Sequence, residues 1–229
     1  MVIPEDGFIL AFAMIVDINR YTCMVRDDET GAIAQFTRDV LSGPIDAIEK
    51  YNGEIVGYMG DAILGLLPSA EDTIMACFAI AKDLDRQCEF LSTNQHKSDE
   101  DWNFFQGGPS IKIAVEYGKL DISTISSRHL GTQRLFAGNA INYASRISAK
   151  GSGNRCHIGP VAATMNPFPS YCLGGPLSVR GKSGESIYTF FQFDLSDIWI
   201  EGPLMSLTAL MAPPLTALME PLGGCDFGS

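Results

Sequence analysis

Residues 8–16 read FILAFAMIV, an apolar run with no polar interruption. Such a run marks a strand covered on both faces. Between residues 33 and 51, Ile33, Phe36, Val40, Leu41, Ile45 and Ile48 recur at helical spacing, and Pro44 inside that pattern predicts a kink or the start of a second helix. The stretch EIVGYMGDAILGLLP holds two short apolar runs split by Gly60-Asp61, which predicts a tight hairpin. Residues 71–91 form a helical pattern with Ile74, Cys77, Phe78, Ala81, Leu84 and Cys88 on one face. Residues 92–108 are polar and read as a surface loop. IKIAVEYG (residues 111–118) alternates as a strand, and the chain from there to Ala137 reads as irregular. Residues 138–150 are helical, residues 155–158 a short strand, and residues 177–193 a hairpin turning at 181–185. The order β-α-β-β-α-β, with a further helix and strands, predicts an α/β (α+β) domain. Its expected core is ferredoxin-like, an antiparallel-dominated sheet with helices on one face, extended by C-terminal additions.

Composition narrows the function. The chain has 229 residues, with Lys+Arg 16 against Asp+Glu 27 and a net charge of −11. Hydrophobic residues at 46% and charged ones at 19% exclude a wholly disordered chain. The acidic balance excludes a general nucleic-acid binder, because phosphate backbones require a basic face. A polyanionic ligand must therefore be held at a small local site with metal help. Cys23, Cys77, Cys88, Cys156, Cys172 and Cys225 form no CxxC pair and no metal-ligand spacing, so they read as reduced thiols of a cytoplasmic protein. The N-terminus carries no basic start and no cleavage pattern, and residues 8–16 are too few to span a bilayer.

The last 34 residues, 196–229, differ from the rest: they contain no Lys or Arg, and residues 202–219 are uncharged. Leu207-Thr-Ala-Leu-Met211 recurs as Leu215-Thr-Ala-Leu-Met219, with Pro203, Pro213 and Pro214 breaking any spanning helix. Two readings stand: a tail packing its Leu and Met on the domain or on a second copy, or a docking segment for a membrane or partner.

Asp17 ends the first strand and Asp61 opens the third. In a split β-α-β arrangement those strands are antiparallel neighbours about 4.8 Å apart, so the two carboxylates meet at one edge. Paired carboxylates there can bridge two divalent cations about 3.5–4 Å apart. Each alone would suit an ordinary turn.

FAMIVDINRYT, GYMGDAILGLL, IKIAVEYGKLDI and LFAGNAINYASRISAKG, in this order, resemble the class III nucleotidyl cyclase catalytic domain over residues 8–194, leaving 1–7 as an extension and 195–229 as a tail. The resemblance implies a homodimer with composite active sites, each containing residues of both chains, and two Mn²⁺ or Mg²⁺ ions per site. Asp17 and Asp61 match its metal-binding aspartates, joined by the carbonyl of Ile18. Tyr21 and Thr22 fall where members hold the triphosphate at a helix start, an anion-binding arrangement. Asn142 and Arg146 match the pair that orients the ribose and stabilises the transition state, and their i, i+4 spacing lets one helix face present both. Arg180, in VRGKSG, matches a basic position gripping the terminal phosphates.

The chain departs from purine cyclases at both base-reading positions. Four residues before Asp61 stands Gly57, and seven before Asn142 stands Leu135. Neither side chain hydrogen-bonds a purine edge. In this respect the chain resembles the stand-alone pyrimidine cyclases of bacterial antiviral defence, which make cyclic UMP or cyclic CMP for a separate effector. Tyr51, Tyr58 or Phe136 can fill the space a smaller base leaves, and Arg128, His129 and Arg134 lie in the same segment as Leu135. Competing readings are a purine cyclase with atypical base contacts, an inactive cyclase-like binding or dimerisation module, and a diguanylate cyclase or palm polymerase. A diguanylate cyclase would require a GGDEF or GGEEF hairpin where this chain has YMGDAI.

Overall fold

The computed structural model describes residues 2–22, 32–93, 110–129, 131–172, 174–181 and 186–195. Residues 94–109, the 182–185 turn, the tail 196–229, Cys23 and Cys225 fall outside them. The strands are β1 (Gly7–Ile18), β2 (Glu54–Met59), β3 (Ala62–Leu67), β4 (Ile111–Ser127), β5 (Gly131–Ala137), β6 (Arg155–Ile158), β7 (Leu177–Arg180) and β8 (Ile187–Asp194). The α-helices are α1 (Ala32–Lys50), α2 (Ala70–Thr93), α3 (Asn139–Lys150) and a single turn, α4 (Pro160–Ala163). Strand order is β2-β3-β1-β4-β6-β8-β7, with β5 added to β4. Only β4 and β6 run parallel, so the sheet is antiparallel-dominated as the sequence predicts.

The sheet is covered on both faces, which accounts for the unbroken apolar run of β1. Phe12, Met14 and Val16 pack with Ile48 of α1 and with Ile74, Cys77 and Ile80 of α2. Ala11, Ala13 and Ile15 face the other way, onto Ala140, Ala144 and Ile147 of α3. The expectation of helices on one face is therefore corrected. Alanines on both sides of the second contact let α3 lie close to the sheet. Phe8 and Leu10, at the start of the same run, are 61% and 58% exposed, because β3 pairs with β1 only from Phe12 onward.

Two further expectations change. Pro44 lies inside one continuous helix rather than dividing it. Next to it, Gly43 is where α1 crosses α2, and a Cβ there would collide with the carboxylate of Asp83. The segment after Gly118 is regular: β4 runs on to Ser127 and turns into β5, the two paired from Asp121↔Ala137 to Ser127↔Gly131. Beyond Ile158, α4 is fixed by the buried carboxylate of Glu116, which accepts the N–H groups of Ala162 and Tyr117 at 2.9 and 2.7 Å. Burial pushes that carboxyl above its ordinary range. Cys77, Cys88, Cys156 and Cys172 form no disulfide. Among the described residues no helix is long and apolar enough to cross a membrane.

Candidate active site

The β1–β3 register pairs Asp17 with Ala62 and carries Asp61 to the same sheet edge. The N–H of Ile18 donates to the carbonyl of Asp61 at 3.2 Å, tying the hairpin tip to the end of β1. Gly60 supplies the left-handed residue of that tip, with φ 69°. Ile18 turns its side chain into the core and leaves its backbone at the edge. Asp17 is half-buried, and its carboxyl lies above the ordinary range. Burial is the main cause, Lys112 opposes it, Asp61 adds to it, and the nearby hydroxyl of Ser148 opposes it weakly. The two carboxylates thus repel each other across a partly dry edge. Carboxylate and carbonyl oxygens are the donors that Mg²⁺ and Mn²⁺ prefer, so the set fits such ions. Among the described residues no group of three His, Cys, Asp or Glu side chains forms a metal cage.

Lys112 is a site residue that sequence reading missed. Its ammonium lies 3.4 Å from Asp17 Oδ1, with the side chain only 12% exposed. β4 places it directly opposite Asp17. The available signal was a lysine inside an otherwise apolar strand, but its partner emerges only once the β1–β4 register is known.

On α3, Ala140, Ala144, Ile147 and Ser148 are buried, while Asn142 is exposed and Arg146 half-buried on the opposite side. Ile141 sits at the margin of the buried face. Asp17 and Asp61 lie at the sheet edge, with Ser148 of α3 near Asp17, and Asn142 with Arg146 stand on the side of α3 opposite its buried face. Arg180 is exposed at the end of β7. Three strands separate β7 from β1 in the sheet order, about 19 Å at ordinary strand spacing. Tyr21 and Thr22 stand in a helical turn directly after Arg20, with Tyr21 packed against the first core and Thr22 exposed.

At the base-reading positions, Gly57 lies beside a register shift in β2. A Cβ there would meet only Leu64 Cβ, at 3.8 Å, so packing does not impose the glycine. Leu135 is 52% exposed. It occupies the face of β5 opposite Phe136, whose ring joins the second core. Tyr51 packs against the first core, leaving Tyr58, 70% exposed, as the open aromatic of the three considered. Arg128 and His129 are exposed at the β4–β5 turn. Arg134 pairs with Glu54 of β2 and lies over the Phe136 ring, 5.6 Å from its centre.

No family model matches the chain, and no curated protein matches it. Solved structures do. The guanylyl cyclase Cya2 superposes with a TM-score of 0.67 at 14% identity, covering 82% of this chain and 93% of that one. The guanylate cyclase domain of RhGC from Catenaria anguillulae, solved with GTP, gives 0.60 at 14% identity over 82% and 96%. The adenylyl cyclase CyaB from P. aeruginosa gives 0.59 at 14% identity over 83% and 97%. The chain has the fold of class III nucleotidyl cyclase catalytic domains.

Proposed function

We propose that this chain is a metal-dependent nucleoside triphosphate cyclase. It joins the ribose 3′-oxygen to the α-phosphorus and releases pyrophosphate, in a homodimer whose two sites each draw on both copies. The observation that carries this reading is the edge pairing of Asp17 with Asp61 on a fold shared with guanylyl and adenylyl cyclase domains. When bound at Asp17, Asp61 and the Ile18 carbonyl, a pair of Mn²⁺ or Mg²⁺ ions supplies positive charge at the attacking and leaving oxygens. The protein residues do the rest. Asn142 orients the ribose, and Arg146 directs fixed positive charge at the transferring phosphoryl group. Arg180 grips the terminal phosphates, with Tyr21 and Thr22 at the helix start that receives the triphosphate. The catalytic unit is residues 8–194, flanked by 1–7 and the tail 195–229, and it works in the cytoplasm.

The substrate base in this reading is a pyrimidine, uracil before cytosine. Gly57 and Leu135 offer no hydrogen-bonding side chain to a purine edge, and the exposed ring of Tyr58, one residue from Gly57, suits stacking on a smaller base. Cyclic UMP or cyclic CMP would then act on a separate effector in antiphage defence, a role that rests on resemblance to pyrimidine cyclases. The second reading is a purine cyclase with unusual base contacts, favoured by the guanylyl and adenylyl cyclases among its structural neighbours.

The test is incubation of the purified chain with Mn²⁺ and each of ATP, GTP, UTP and CTP, with products identified by mass. A 3′,5′-cyclic pyrimidine supports the whole reading. A cyclic purine keeps the reaction and overturns the base assignment. No cyclic product from any of the four removes the enzyme reading and favours a binding or dimerisation module.

A further inference from the structure

Among the described residues two buried side-chain polar atoms receive no hydrogen bond, Ser148 Oγ, whose hydroxyl lies toward the Asp17 carboxylate, and His157 Nε2. Both lie in one layer beneath the C-terminal turn of α3. The carbonyl of Ser148 accepts the N–H of Gly151 at 3.1 Å, and Gly151 rests on the His157 imidazole, where a Cβ would meet Nδ1 and Nε2 at 2.7 Å. The imidazole is fully buried, stands edge-on to Phe190, and is oriented by Nδ1, which donates to the carbonyl of Ile113 at 3.2 Å. With the proton on Nδ1, Nε2 carries a lone pair and is an acceptor.

Lys112 belongs to the same layer. β6 runs parallel to β4 with His157 opposite Ala114, so Lys112, two residues before Ala114, projects from the same face as the imidazole. Its flexible four-carbon stem is largely buried, and its ammonium carries three donors, one directed at Asp17. Asp17 in turn senses both Lys112 and Ser148. A buried acceptor pair without donors thus stands beside a buried donor whose present partner is a candidate cation ligand.

We propose that Ser148 Oγ and His157 Nε2 form a second seat for the Lys112 ammonium, which it takes when a divalent cation claims the Asp17 carboxylate. The inference rests on the reading of Asp17 as a cation ligand. An ammonium left on Asp17 would repel the incoming cation at close range. Full release to water would strip a buried stem of its contacts. Two neutral acceptors in the same layer avoid both costs, because they hold the charge without competing for the metal. Ser148 and His157 are in this sense positioning residues that act through Lys112.

The experiment is Mn²⁺ titration of the full chain without nucleotide, followed by calorimetry, with thermal unfolding as a check on folding. His157→Asn keeps a donor for the Ile113 carbonyl and removes the distal acceptor, whereas His157→Gln keeps an acceptor near the Nε2 position. Ser148→Ala removes the hydroxyl alone. Each loss of an acceptor is expected to weaken Mn²⁺ binding about 3- to 10-fold, with His157→Gln restoring most of it. In a Lys112→Met background neither His157→Asn nor Ser148→Ala changes the affinity further, since the ammonium they receive is gone. Equal losses in both backgrounds would mean a general packing role and overturn the proposal, as would unchanged affinity in both single variants. Asp17→Asn separates the two levels. If it weakens Mn²⁺ binding while the acceptor variants behave additively with Lys112→Met, the seat is wrong and the ligand reading survives. If it leaves Mn²⁺ binding intact, the ligand reading and the seat both fall.

Discussion

Asp17 concentrates the electrostatics of the sheet edge. Burial and Asp61 push its carboxyl upward while Lys112 pulls it down, and a cation bound between the two aspartates would relieve the repulsion that Lys112 only partly offsets. Asp17→Ala is accordingly expected to remove turnover, by about a hundredfold to a thousandfold or more, while the chain stays folded, as a cooperative thermal unfolding curve would show. Turnover by mass at saturating Mn²⁺, together with the unfolding curve, checks both halves. A second residue-scale prediction concerns His157, whose burial lowers its pKa from 6.5 to about 4. The folded protein keeps the ring neutral where the unfolded chain protonates it. Stability due to this group is therefore present above pH 6.5 and lost as pH falls toward 4, by about 3 kcal/mol in full. Denaturant unfolding at pH 7 and at pH 4.5 should show a drop in the parent that is smaller by roughly that amount in His157→Gln. An equal drop in both proteins would contradict the assignment.

Legibility at the level of elements follows burial. The hairpin tip, both long helices and the central strand were readable because each buries a stripe or a face, and burial writes hydrophobic period into sequence. β5 has almost nothing buried beyond Phe136 and Leu135 lies open, so no alternation marks it. It is held instead by backbone pairing to β4, by the Arg134–Glu54 ion pair and by Phe136 in the second core. The location of α3 was hidden for a different reason. Ala140, Ala144 and Ile147 show that a face is buried but not on which side of the sheet. The aspartate pair and the i, i+4 pair were readable as types and spacings, whereas Lys112, Ser148 and His157 converge only through strand register. One element-scale tie can be tested directly. Tyr143 of α3 donates its hydroxyl to the carbonyl of Thr189 and accepts the N–H of the same residue, both at 2.9 Å, pinning α3 to β8. Tyr143→Phe leaves two half-buried backbone groups without that partner and should cost about 1–3 kcal/mol. The expected result is a lower denaturation midpoint with unchanged slope.

In the proposed homodimer each site draws on both copies of the chain. Asp17 and Asp61 stand at the edge of the sheet, Asn142 and Arg146 on the side of α3 opposite its buried face, and Arg180 lies at the sheet's far side. Two-fold symmetry would bring the partner's copy of one group to this chain's copy of the other and make two equivalent sites. The consequence is quantitative. Asp61→Ala and Arg146→Ala are each expected to be inactive on their own. In a random mixed dimer one site carries both lesions and the other carries neither. Half of a statistically re-formed mixture is mixed dimer with one intact site of two, so about a quarter of the parental activity should return. Refolding the two variants together, with differently tagged chains to isolate the mixed dimer, measures it. Recovery near that fraction requires that each nucleotide be gripped by two chains. Verified mixed dimers that stay inactive would confine Asp61 and Arg146 to one chain.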